Sequence, residues 1–266
     1  MSVIINGDTG ITTPGVVNSA AETIATTLSV TGAITGSSTV AGSTGILYPL
    51  TSGTAVSTAT CSFTGVISGT ALTASAITGT IAIGQLITGT GVTAGTTIIS
   101  GSGTAWVVSV SQTVASTAIT VVGIEFTSIP SWVKRITVML SGVSTNGVSA
   151  VQVQLGTSGG IQATGYNAAS AIGAGANTFS MSTVTTGFCE ATGTAAAVRY
   201  GSAVLSLLDS ATGTWSMMYN IGTTDTQRVF LIYGTKALSG TLDRVRITTV
   251  NGTDTFDAGS VNILYE

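Results

Sequence analysis

Three observations predict an all-β fold for this chain. Thr, Ser, Ala, Val, Ile and 35 Gly dominate its 266 residues, and Thr, Val and Ile are β-branched and stiff at χ1, which favours strands over helices. Leu, Glu, Lys, Arg and Gln, the usual surface helix formers, are scarce. Charged residues make up 6% of the chain, against about 25% in an ordinary globular protein. Turn-forming residues recur every 8 to 12 positions or about that between short apolar runs, the spacing of an all-β sandwich or barrel. No helical period of useful length appears, apart from a turn or two near "NSAAET" (18–23). The expected architecture is short N-terminal strands over residues 1–50, a small Gly/Thr-rich β module over 51–123, and a C-terminal jelly-roll-like β-sandwich over 124–266.

Charge sets these boundaries. Asp8 and Glu22 are the only charged residues before Glu125, and all seven Lys and Arg lie between Lys134 and Arg246. In "INGDTGITTPGVVNSAAETIATTLSVTGAITGSSTVAGSTG" (5–45) a turn former arrives every few positions, and Asn6-Gly7 is a strong turn signal. Strands this short bury too little surface to be stable alone, so they are expected to order by pairing with other copies or with a partner.

In the middle segment, "FTGVISGTALTASAITG", "TIAIGQLITGTGV", "GTTIISGSG", "AWVVSVSQ" and "STAITVVG" read as about five or six strands of roughly four to seven residues, a small sandwich or barrel. A module of that size is marginal as an independent core. Its Thr/Ser/Gly surface carries no charged gatekeeper on any strand edge, so a lone copy is expected to aggregate, while one covered by neighbours need not.

The last segment alternates clearly. "VQVQL" puts Val151, Val153 and Leu155 on one face, opposite Gln152 and Gln154. "TWSMMYNI" groups Trp215, Met217, Tyr219 and Ile221, and "RVFLIY" groups Val229, Leu231 and Tyr233. "LDRVRITTV" places Val245 and Ile247 inward with Arg244 and Arg246 outward, and the chain ends on Val261, Ile263 and Tyr265. With "KRITVML" and "AVLSLL" this makes about seven or eight strands, enough for a sandwich.

Several function classes find no support. A spanning helix needs about 20 apolar residues in succession, and Gly, Thr or Ser breaks every apolar run here within a few positions, so no membrane span is expected. Aromatics are too few for the girdles of a porin-like barrel. "MSVIINGDTG" has neither the basic n-region nor the apolar h-region of a signal peptide, so synthesis in the cytosol is expected. Net charge is −3 with no basic cluster, which argues against nucleic acid as a partner. With no histidine, Ser-His-Asp and Cys-His catalysis and His-containing zinc sites are excluded. Cys61 and Cys189 read as small buried hydrophobes. The glycines match no phosphate-cradling loop and read as turns and tight strand approaches. No cofactor is expected.

Three residue groups remain as candidates. Glycoside hydrolysis needs two carboxyls about 5 to 9.5 Å apart, and Asp209, Asp225, Asp243, Asp254, Asp257 and Glu190 are the acids available, each in or beside an expected turn where Asp is favoured by local hydrogen bonds. In "NGTDTFDAG" (251–259), Asn251, Asp254 and Asp257 are candidate calcium ligands. Calcium loops carry more acids at tighter spacing, so a hairpin turn with Asx caps fits better. Tyr166, Phe188, Tyr200 and Tyr219 can stack on sugars if exposed, although single aromatics more often belong to a core.

The opening "SVIINGDTGITTPGV" resembles the N-terminal segments of tailed-phage tail fibres and tail-associated structural proteins. "SGTALTASAITGTIAIGQLITGTGVTAGTTIISGSGT" with "VSVSQTVASTAIT" is similar to a small β module repeated in such proteins. "SIPSWVKRITVMLSGVSTNG" with "LDRVRITTVNGTDTFDAGSVNILYE" resembles a C-terminal domain of phage fibres and other minor virion proteins. The resemblance implies no catalytic residue and a non-enzymatic virion component assembled in the host cytoplasm. It implies a homotrimer attached to other phage structural proteins through Ile4, Ile5, Asn6, Gly7, Asp8, Thr9 and Gly10, with a distal C-terminal domain able to bind a host surface glycan or protein. A capsid-attached head fibre, decoration or adaptor protein with a purely architectural role is the alternative. A depolymerase is disfavoured because no long repeated β-helix pattern is visible.

Overall fold

The β-branched runs pair into two antiparallel sheets. The computed structural model describes residues 51–174, 178–195, 197–224 and 227–266, and all of these belong to one unit of the chain. The expected attachment segment, with Ile4, Ile5, Asn6, Gly7, Asp8, Thr9 and Gly10, lies outside the described residues, as do "NSAAET" and Asp225. Among the described residues every regular element is a strand.

In chain order these are β1 (Thr51–Ser52), β2 (Val56–Ser57), β3 (Ser62–Thr78), β4 (Gln85–Gly89), β5 (Ile98–Ser102) and β6 (Ala105–Phe126). There follow β7 (Arg135–Thr145), β8 (Val151–Thr157), β9 (Gly160–Ile161), β10 (Tyr166–Ala174), β11 (Thr178–Val184) and β12 (Phe188–Cys189). The last are β13 (Arg199–Asp209), β14 (Thr214–Thr223), β15 (Arg228–Ala237), β16 (Arg244–Thr249) and β17 (Phe256–Tyr265). The larger sheet runs β1-β17-β7-β13-β14-β15-β10-β11, with β2 also on β17; the smaller runs β12-β8-β16-β6-β3, with β4 and β5 on β6 and β9 on β8.

Alternation explains the main core. Val138, Ala203, Leu205, Tyr219 and Ile232 from the larger sheet are buried in one cluster with Val151, Val153, Leu155, Val245 and Ile247 from the smaller. Each Val, Leu or Ile side chain among them contributes about 1.5–3 kcal/mol when fully buried. Gln152 and Gln154 stand on the opposite face, as their alternation predicts, but they too are buried. Their amides donate to the carbonyls of Thr249 and Thr186 at 3.3 and 2.8 Å, which satisfies groups that would otherwise be costly to bury.

The middle segment differs from the sequence expectation. From Cys61 onward, instead of five or six short strands it contains two short ones, β4 and β5, and two long ones, β3 and β6, which pair with each other. Glycines that read as turns are bulges inside a continuous strand. The β3–β6 register slips between Gly65 and Ile67 and again between Gly69 and Ala71, and Gly69 sits at φ +65°, a conformation glycine adopts at little cost. At about 3.3 Å per residue, eleven straight residues would span about 36 Å, yet Ser75 Oγ lies 3.4 Å from the Thr64 carbonyl. The bulges therefore fold β3 back on itself. This fold encloses a second core of Phe63, Ile67, Leu72, Ile98, Val108 and Ile119, among others.

β6 serves both cores. Ile119 and Val121 belong to the second cluster, and Ile124 belongs to the main one. The expected boundary between 123 and 124 thus falls within an unbroken strand. At that point Gly123 pairs with Leu86 of β4 on one side and Thr248 of β16 on the other. Two residues on, Glu125 is buried between two arginines: its Oε1 is 3.1 Å from Arg244 Nη1 and its Oε2 is 2.6 Å from Arg246 Nη2. The chain enters the sandwich against its own end, since β1 and β2 both pair with β17.

Candidate functional site

β13, β14 and β15 follow one another through the middle of the larger sheet as a meander. Their inward residues, such as Leu205, Met217, Ile221, Phe230 and Ile232, fill the main core. In an antiparallel sheet with one wet face the outward residues are ordinarily polar. Here they are not.

The register gives the outward face as rows across the strands. One row is Ser260, Ser141, Tyr200, Gly222, Val229 and Gly173. The next is Asn262, Met139, Ser202, Asn220, Leu231, Ala171 and Met181. A third is Leu264, Thr137, Val204, Met218, Tyr233, Ala169 and Thr183. None of these residues is charged. Met218, Tyr200, Tyr233, Val229 and Met181 are 44% to 68% exposed. Charge returns only at the corner, where Arg135 stands beside Ser206 and its Nη1 lies 3.0 Å from Glu266 Oε1. That pair is exposed and contributes little.

Of the four aromatics singled out from sequence, only Tyr200 reaches this face. Tyr166, Phe188 and Tyr219 are core residues, with Tyr166 and Phe188 packed edge to face at 5.0 Å between centroids. Burial pushes the Tyr166 phenol up to about 12, and its oxygen accepts from the Leu155 amide at 2.7 Å. Tyr233, which its spacing groups with Val229 and Leu231, stands with them on this face, while Met218 and Met181 carry no sequence signal of their own. The signal was present in "RVFLIY": a strand apolar on both faces has one apolar face that the core does not use.

The acidic candidates are engaged one by one. Asp209 accepts from Thr212 Oγ1 and the Ala211 amide, both at 2.8 Å, and the Thr212 bond foremost holds its carboxyl below the usual range. Asp243 is paired with Arg244 at 2.9 Å. Asp257 accepts from Ser144 Oγ. Asn251 Oδ1 accepts from the amides of Thr253 and Asp254, both at 3.1 Å, an Asx turn. Asp254 accepts from Asn251 Nδ2 at 2.7 Å and the Ser149 amide at 2.9 Å. Among the described residues no group of three or more His, Cys, Asp or Glu is placed to hold a metal. Because Asp254 joins two loops through charge-assisted bonds of about 1.5–3 kcal/mol each, Asp254→Ala is expected to lower the melting temperature by several degrees. Millimolar calcium is expected to leave the wild-type melt unchanged. A calcium-dependent rise would restore the loop as an ion site.

The most deeply buried charges lie elsewhere. Arg199 Nε is 2.6 Å from Glu190 Oε1, with both side chains essentially inaccessible, and Arg199 Nη1 donates to the Ala197 carbonyl at 2.9 Å. Burial raises the Glu190 pKa, partly offset by Arg199. Glu190 Oε2 and the Tyr219 hydroxyl have no hydrogen-bond partner among the described residues. Cys189 and Cys61 are buried free thiols, and burial, then Glu190, pushes Cys189 up to about 11; such thiols are poor nucleophiles. Lys236 is buried with Nζ 2.7 Å from the Ala237 carbonyl and 5.5 Å from the Tyr166 ring centroid.

A cleft of about 580 Å³ between the two cores is lined mainly by Ile83, Ile99, Trp106, Phe126, Ile263 and Tyr265, with Glu125 at its wall. Since Glu125 is committed to Arg244 and Arg246, no free acid or base faces this space. Among the described residues no helix is long and apolar enough to cross a membrane. No family model matches the chain, and neither does any curated protein or solved structure.

Proposed function

We propose that the chain is a non-enzymatic structural protein of a tailed-phage virion: a homotrimeric tail fibre anchored through residues 1–50, with the C-terminal sandwich turned towards the host surface. The observation that carries this reading is the charge-free surface. Apolar groups are exposed on the second core as well as on the large sheet, at Val66, Ile77, Ile83 and Ile99, and the segment containing them has no charged residue before Glu125. Surfaces of this kind associate in isolation and are stable when neighbouring subunits cover them. The phage-fibre resemblance supports the same reading, and several identical tips on one particle would add avidity to weak contacts with a host glycan or protein.

Two measurements test it. Sedimentation of the purified chain is expected to give about three times its 26.3 kDa mass, and a clean monomer at micromolar concentration removes the fibre reading. Antibody labelling of virions is expected at the tail. Label confined to the capsid would replace the tail fibre with a head fibre or decoration protein.

A further inference from the structure

We infer that the outward face of the larger sheet is buried against a second copy of this chain. The inference rests on the homotrimer reading and adds to it the surface through which the copies meet. Size is the first argument. Seven strands about 4.8 Å apart and three rows about 6.8 Å apart cover about 690 Å², close to the 800 Å² or so that each partner gives to a standard interface.

Composition is the second argument. Interface centres are depleted of charge and enriched in Tyr and Met, and Tyr200, Tyr233, Met218 and Met181 are exposed here on rows without a single charge. A sugar site is a poorer fit. It needs several polar groups converging on an aromatic platform, whereas Tyr200 and Tyr233 stand two strands and two rows apart, with a single amide, Asn220, midway and Met218 and Leu231 on either side of it. A self-partner also answers the solubility problem. Exposed Tyr200, Tyr233, Met218, Met181 and Val229 promote association, an occasional partner leaves them bare, and another copy is present wherever the chain is made.

Met218→Asp tests the inference, because a side chain already half exposed can carry a charge without entering a core. The variant is expected to keep the wild-type circular dichroism and sediment as a single chain. In the wild type, peroxide oxidation of Met181 and Met218, read by mass spectrometry, is expected to be at least about tenfold slower than in an unfolded peptide, since burial excludes the oxidant. That second measurement needs no variant to fold. A wild-type oligomer in which both methionines oxidise at the peptide rate overturns this face while leaving the homotrimer intact. A monomeric wild type overturns both.

Discussion

Replacing Arg199 with Met is expected to cost about 3–5 kcal/mol at neutral pH, the usual penalty for leaving one member of a buried pair without its partner. For a chain of this length that is a fall in melting temperature of about 10 °C. The Glu190 carboxyl would be left in the core with no cation beside it, keeping its hydrogen bond to the Val151 backbone and an unpartnered Oε2. The loss should depend on pH in a definite sense. Burial raises the folded pKa of Glu190 above its usual 4.5, so the folded chain binds more protons than the unfolded one in the interval between those values. Its contribution is therefore fully favourable below 4.5 and is lost as pH rises through the folded pKa. Removing Arg199 widens that interval. The variant's deficit should be complete at neutral pH and shrink towards pH 4, where the wild type holds a guanidinium against a neutral acid. Thermal melts across this range read it directly, and a deficit that does not change with pH would sink the account. Glu190→Leu combined with Arg199→Met should recover most of the stability, because a well-packed apolar pair replaces a buried ionic one at little cost.

Gly123→Val is the second large effect. A Cβ at this position would lie 2.7 Å from the Ile247 carbonyl oxygen, 3.2 Å from Thr248 Cβ and 3.3 Å from Leu86 Cδ2. Two of these belong to β16 and one to β4, so β6 cannot keep both neighbours around a valine. Overpacking against backbone costs about 3 kcal/mol. Because β6 contributes to both cores, the wild type should protect the amides of β3 and β14 as one cooperative unit in native-state hydrogen exchange. In the variant, β3 should exchange first. Separate exchange of β3 and β14 already in the wild type would show that the shared strand does not couple them.

The sequence made the main core legible through period-two alternation: Val151, Val153 and Leu155, and likewise Val245 and Ile247, are buried as their spacing predicts. It also placed Arg244 and Arg246 off that core, but it could not show that Glu125 meets them, because the contact is set by the pairing of β6 with β16 across more than a hundred residues. The long pairing of β3 with β6 was missed for a physical reason. A glycine in a bulge and a glycine in a turn look the same in sequence, and only the pairing of β3 with β6 decides between them. The outward face was half legible. Tyr200 stood out as an aromatic, while Met218, Tyr233 and Met181 gain their meaning from lying in adjacent rows, which is a property of register. The aromatic spacing alone did not separate Tyr200 from Tyr166, Phe188 and Tyr219, which the sheets turn inward.

The pairing of the first described strands with the last has a mechanical consequence. Thr51 and Ser52 lie against Tyr265 and Leu264, and Val56 and Ser57 lie against Val261 and Ser260, with the Gly53 and Thr58 amides adding bonds to the Ile263 and Gly259 carbonyls at 2.7 and 2.9 Å. A pull on Thr51 along the strand therefore loads β17 in shear, several hydrogen bonds at once, and passes through it to β7 in the larger sheet. The long paired strands β3 and β6 lie beside this line of force and carry none of it until β1 and β2 have been stripped away.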